Sequence, residues 1–506
     1  MSALDLWVLA AFTAGTLWLG LSRTVGQTTV AEYFTGGRRA PWTLAMASIV
    51  ATETSTVTLV SLPGFAFGSD LTFLQLALGY LVGRILVTLF FIPRYFNEQY
   101  LTAYQVLTDR FGQQVGQLTS ALFLSTRNLA DGFRLFATGL VLGAALLTLP
   151  GSSRLTTWLS PTIDPATTVL LCAVLLLGIV TIAYTYFGGI SAVLWTDLLQ
   201  LCVYLIGSLA AAVILFRLIP GGWGEIVEVG KAAGRLRLFD FSADLNRSYT
   251  FWSGLIGGAC LTVSTHGTDQ LIVQRYLSCR GPRDASKALL WSGLVVFCQF
   301  LLFLVIGVLL YVYYTGYSPD SLEMLTVNGT LQTDRIFPTF IVTELPSGLR
   351  GLMIAAIFAA AMSTLSSSLN ASASATVADF YMPATGGRRS DKHYLRIAKR
   401  STVLWGCVQI LTACIAIRIS TRVVDEVLGI SSFTNGLILG AFVLGLFGYR
   451  RSKTPLVGIA VGSVSVLALR IFTNVSWQWY VLVGGFATAA AGYCVARVFE
   501  RPANDQ

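Results

Sequence analysis

Apolar residues in this chain run in long blocks separated by short polar stretches. Val169–Ala183, Leu198–Leu215, Leu289–Leu310 and Leu437–Phe447 hold no charged residue. A helix needs about 20 apolar residues to cross a bilayer. Within lipid every backbone amide and carbonyl must be paired inside the protein, which a helix achieves in one segment. Barrel strands would be shorter and would alternate in polarity, as these blocks do not. The pattern therefore predicts an all-α integral membrane protein.

Thirteen spans follow from the pattern: Leu4–Leu21, Trp42–Gly68, Leu71–Ile92, about Leu118–Leu146, Thr168–Tyr186, Ile190–Leu215, Phe251–Leu277, Leu289–Tyr311, Gly351–Tyr381, and four near Thr402–Ile419, Val424–Phe447, Leu456–Ile471 and Trp479–Val498. Span two is interrupted by Thr52-Glu53-Thr54-Ser55-Thr56, and span seven by Ser264-Thr265-His266-Gly267-Thr268-Asp269. Each interrupted span opens a set of five. An odd number of spans per set inverts the second copy, and paired broken helices in two inverted halves point to a transport site. The expected organisation is a single membrane domain: an extra helix at 4–21, repeats at 42–216 and 251–448, and a closing pair at 456–498.

Composition sharpens this picture. Only 12% of residues are charged, against about 25% in a soluble chain. The net charge of +9 raises the question of nucleic acid, but the basic residues gather in short loops. Arg388, Arg389, Lys392, Arg396, Lys399 and Arg400 form one cluster, Arg450, Arg451 and Lys453 another, and Arg275, Arg280, Arg283 and Lys287 a third. Positive charge in short loops marks the cytoplasmic side. With thirteen spans this puts the N-terminus outside, the C-terminus inside and the chain in a cytoplasmic (plasma) membrane. The eight cysteines are scattered, with no CxxC pair, so they assign no compartment. No basic residue precedes the first apolar run, which reads as a retained helix.

A helix broken in mid-membrane leaves carbonyls without amide partners; protein, water or a bound cation must satisfy them. Span nine offers hydroxyls. Ser363, Ser366, Ser367 and Asn370 lie at i, i+3, i+4 and i+7, on one helix face, with the Ala360 carbonyl one turn below Ser363 and Thr364. Such uncharged oxygens suit a hard cation such as sodium; the same residues could form a small-residue packing seam. Asp197 in span six could neutralise a cation, pair with an arginine, or snorkel. Arg127, Asp131 and Arg134 share a face of span four, either as a packing network or as an attractant for an anion. Candidates for contact with a solute are Glu53 and Thr58 beside the first break, Asp131 and Arg134, and Thr262, His266 and Asp269 around the second. His266 has no neighbouring ligands that would make a metal site.

Several segments resemble the solute:sodium symporter family. Tyr186-Phe-Gly188-Gly189-Ile-Ser-Ala192-Val193-Leu-Trp195-Thr196-Asp197 is similar to its signature, and Gly267-Thr268-Asp269-Gln270-Leu-Ile-Val273-Gln274-Arg275 to its sodium/glucose cotransporter branch. Ala51-Thr-Glu-Thr-Ser, Pro63-Gly64, Tyr104 with Arg110-Phe111-Gly112, and Ser363-Thr364 also match, over about residues 30 to 450. The resemblance implies a LeuT-type 5+5 inverted repeat and sodium-coupled alternating access. It implies a sodium site from the carbonyls of Ala51, Thr54 and Ala360 and the hydroxyls of Ser363 and Thr364. It also implies, as in some members, a second sodium at Asp197, Ser366 and Ser367 with Ser363 close by. The sugar-contacting Lys and Gln of the sugar transporters fall near Phe297 and Leu428 here, and an Asn becomes Glu53. A hexose needs many polar partners, so these changes count against a sugar, while the Asp269-Gln270 match favours a sugar-like molecule and the Arg127–Asp131–Arg134 face an anion; sugar or polyol, organic anion and amino acid stay open.

The expected function is sodium-coupled symport of a small polar organic solute, with Na⁺ as coupling ion and no covalent cofactor. The expected partners are Na⁺, the solute and the bilayer, with no nucleic acid and no obligate protein partner. Proton coupling through Glu53 or Asp269 is one alternative, and a transporter-like membrane sensor another. The absence of a GxSxG motif, a metal-binding His pair and a glycine-rich phosphate loop argues against an enzyme.

Overall fold

The computed structural model describes residues 2–23, 28–97, 100–147, 165–327, 330–417, 423–446 and 453–499. Its long helices are α1 (Ala3–Ser22), α2 (Trp42–Glu53), α3 (Thr56–Gly68), α4 (Leu74–Phe90), α5 (Gln113–Leu147), α6 (Pro165–Arg217) and α7 (Gly258–Gly267), followed by α8 (Gln270–Leu277), α9 (Pro282–Tyr317), α10 (Leu349–Ala375), α11 (Asp391–Ala416), α12 (Val423–Leu446), α13 (Lys453–Phe472) and α14 (Gln478–Phe499). The described residues are mostly helical, with one short antiparallel pair, Thr326–Val327 with Thr330–Leu331, in the segment between α9 and α10. That segment also holds helices Pro319–Met324 and Ile336–Thr343.

Seven helices among the described residues are long and apolar enough to cross a membrane, and the bent pair α2 and α3 makes an eighth. Arg127, Asp131 and Arg134 of span four lie in α5. Spans five and six form one helical run, α6, hinged at Gly189 with φ +52° and ψ −148°. A side chain is strained there, and a Cβ would also stand 2.6 Å from the Tyr33 carbonyl oxygen. Span nine ends in a π-helical turn, Thr376–Tyr381.

Helix α10 is the axis of the molecule: every residue from Met353 to Ala375 is buried. Its alanines and serines let neighbouring backbones approach closely. Outward faces are apolar, with Trp7 and Trp18 of α1, Leu176 and Leu209 of α6, Phe472 of α13 and Phe486 of α14 exposed, as lipid requires. The extra helix α1 is tied to α10 by Asp5, whose carboxylate accepts from the amides of Gly348 (2.8 Å) and Gly351 (3.0 Å). These amides open α10 and lack helical acceptors.

Candidate functional site

Helix α2 stops at Glu53, and α3 starts at Thr56 after a 59° bend. No proline forces the stop. Thr54 closes α2 through its amide to the Val50 carbonyl, 3.0 Å, and its hydroxyl donates to the same oxygen, 2.9 Å. Ser55 caps α3, accepting from the Thr58 amide at 3.3 Å. Among the described residues no backbone amide donates to the carbonyls of Ala51 or Thr52. Helix α10 meets them: the Thr364 hydroxyl lies 3.2 Å from the Ala360 carbonyl and 3.4 Å from the Thr52 carbonyl. Thr52 and Ser367 hydroxyls are 3.1 Å apart, and Thr56 donates to the Ile357 carbonyl at 3.1 Å. The broken second span and the hydroxyl-rich ninth span are thus in contact. The negative end of α2, two carbonyls and a threonine hydroxyl face one spot, a suitable environment for a dehydrated monovalent cation.

Asp197 of α6 lies close by and is wholly buried. Its carboxylate accepts from Ser363 at 2.6 Å, from the Ser48 hydroxyl, and from Arg275 at 3.3 Å. Arg275 also donates to Ser367. Ser366 instead donates to the Ser363 carbonyl, 3.1 Å. Asn370 faces no partner with either amide atom, so it does not extend the cluster. Arg275, expected in a cytoplasmic loop with Arg280, Arg283 and Lys287, is corrected to a fully buried residue of α8. Sequence proximity to a charged loop hid it. Of the second basic cluster, Arg450 and Arg451 lie outside the described residues.

The solute candidates fall into two ion-pair groups. Glu53 pairs with Arg84 of α4 and stands 3.6 Å from His266 Nε2. Arg127 contacts Asp131 at 2.7 Å and Asp269 at 3.8 Å, while Arg134 contacts Asp131 at 2.9 Å. Asp269 also caps α8, accepting from the Leu271 amide at 2.8 Å. Thr58 is hydrogen-bond distance from Ser55, 3.2 Å. Thr262 is set apart: a Cβ on Gly83 would come within 2.6 Å of its own Cβ, so it packs at the crossing of α4 and α7. The Leu428 side chain lies outside the described residues. Arg84 and Gln299 were missed, the latter donating to the Thr54 hydroxyl at 2.8 Å. A lone arginine inside an apolar span was the available signal for Arg84.

Two cavities flank the Asp131 pairs. One is lined by Ser55, Thr56, Arg134, Thr138 and Thr364. The other is lined by Tyr104, Arg127, Thr268, Asp269 and Asn435. Seven residues separate Arg127 from Arg134, so the cavities sit about 10 Å apart along α5.

Known proteins resemble this chain over most of its length. The sodium:solute symporter family description matches residues 33–462. The sodium/sialic acid symporter of Proteus mirabilis is 30% identical over 97% of this chain and 94% of its own. The human sodium/iodide cotransporter is 29% identical over 92% of this chain and 68% of its own. Among solved structures, a substrate-bound, outward-open Na⁺-coupled sialic acid symporter superposes with a TM-score of 0.85 at 28% identity, covering 99% of both chains. A nucleobase-cation-symport-1 family transporter in a closed conformation shares the fold at 0.54 and 13% identity, covering 94% of this chain and 96% of its own.

Proposed function

Because the chain belongs to the sodium:solute symporter family, and so is a multi-pass, sodium-coupled symporter of a small organic solute and not an enzyme, we propose that its solute is an organic anion held beside the coupling sodium. The sodium is caged by the carbonyls of Ala51, Thr54 and Ala360 and the hydroxyls of Ser363 and Thr364. The observation that carries this reading is the Thr364 hydroxyl lying between the Thr52 carbonyl at the break, 3.4 Å away, and the Ala360 carbonyl of its own helix, 3.2 Å away. Asp197, Ser366 and Ser367 form a second cation set one turn further along α10.

The cavity beside Thr364 receives Arg134 and the amino end of α3. A half-helix amino end attracts an anionic group of a transported solute. A carboxylate there would face Arg134 on one side and sodium on the other, so each charge strengthens binding of its opposite in a medium of low dielectric. Sodium/sialic acid, sodium/iodide and sodium-coupled monocarboxylate transporters are among the relatives, and all three solute types are anions. Glu53, Thr58, Asp131, His266 and Asp269 border or brace this region; Thr262 braces α7. The remaining organisation is thirteen spans with two inverted repeats of five, in the plasma membrane, with the N-terminus outside.

Uptake into proteoliposomes tests the proposal, with sialic acid, iodide and a short monocarboxylate as probes. An inward sodium gradient should drive accumulation of sialic acid or the monocarboxylate, choline should not, and Arg134→Gln should raise the KM of that anion at least tenfold. Ser363→Ala and Thr364→Ala should abolish the sodium stimulation. Uptake of a neutral sugar alone, or uptake driven by a pH gradient without sodium, would contradict it.

A further inference from the structure

Arg275 makes contacts unlike those of a structural arginine on a helix face. It is wholly buried in α8, the short half-helix after the second break. Its Nε donates to the Ser48 carbonyl at 3.3 Å, and Nη2 reaches Asp197 at 3.3 Å and also Ser367. The guanidinium therefore lies among the oxygens of the second cation set. Ser363 and Ser48 hydroxyls complete the carboxylate's partners. Among the described residues Arg275 is the one cation within 4 Å of Asp197.

We propose that Arg275 is a tethered cation of the Asp197 site, and that sodium binds there only when Arg275 has withdrawn. One buried carboxylate balances one charge. Adding sodium beside the guanidinium would leave a net buried positive charge, which is strongly unfavourable, so the two cations exclude one another. Arg275 rides on α8, which has its own cap in Asp269 and belongs to a broken span of the kind that moves during alternating access. Each swing of α8 away from α6 and α10 would free Asp197 for sodium, and each return would expel the ion. The second site thereby becomes sensitive to conformation, as coupling requires. This rests on the sodium reading above and deepens it.

The test is the melting temperature of purified full-length protein, without solute, in sodium against choline at constant ionic strength. Arg275→Gln should melt lower in choline and gain at least twice the wild-type sodium increment. Arg275→Lys keeps a tethered positive charge, though a single ammonium head replaces the planar fork, and should gain less than Arg275→Gln. Asp197→Asn with Arg275→Gln should return to the wild-type increment. An increment in Arg275→Gln equal to that of wild type, or an excess that survives loss of Asp197, would overturn the proposal. If Arg275→Gln does not fold in either salt, the neutral Arg275→Met decides: an increment equal to wild type overturns the tethered cation. A wild-type protein with no sodium increment would instead remove the underlying sodium reading, so the two failures are distinguishable.

Discussion

Arg84 reaches Glu53 across the first helix break, and neither charge has water to fall back on: the arginine side chain is fully buried and the glutamate is 14% exposed. Removing one partner of such a pair costs about 3–5 kcal/mol, because the other is left as an unpaired buried charge. Glu53→Ala should therefore lower stability by about that much, and Glu53→Ala with Arg84→Met should recover most of it. A double-mutant cycle by thermal unfolding checks this; additive losses would show that the pair is not coupled. The residues at the first break were legible in the chain because a polar run inside an apolar block has no reason to be there unless something binds it. Arg275 was not legible: its neighbours Arg280, Arg283 and Lys287 gave it the look of a loop residue, and only the packing of α8 against α2, α9 and α10 buries it.

Among elements, the interruptions define the mechanism and Gly189 defines the turn between spans five and six. Its φ of +52° with ψ of −148° belongs to a region that costs other residues about 1–3 kcal/mol, and the Tyr33 carbonyl blocks a Cβ. Gly189→Ala should lower stability by at least about 2 kcal/mol, while Gly15→Ala, where a Cβ meets nothing within 4 Å, should be neutral or stabilising. Parallel melting curves of the two variants check the contrast, and equal melting temperatures would contradict it. Both helix breaks were readable from polar runs. The single helical run through α6 was not, since hydropathy alone shows two apolar blocks and nothing of the hinge angle between them. The short helices and strand pair between α9 and α10 were equally hidden, because polar composition is compatible with any exposed structure.

At the scale of the whole molecule, the family membership makes sodium the coupling ion, and its proposed site lies where α2 ends against α10. Binding to one conformation stabilises that conformation by mass action, about 2.7 kcal/mol at one hundred times Kd, and an ion with equal affinity for every conformation would drive nothing. Ser363 also serves Asp197, so its loss disturbs both cation sets. Among the described residues the Thr364 hydroxyl bonds only the Thr52 carbonyl at the break and the Ala360 carbonyl of its own helix and is the cleaner probe. Equilibrium binding of radioactive sodium to purified protein, with folding checked by circular dichroism, tests the central claim most directly. Wild type should bind sodium saturably, and folded Thr364→Ala should lose at least tenfold in affinity. Unchanged sodium affinity in folded Thr364→Ala would contradict the account.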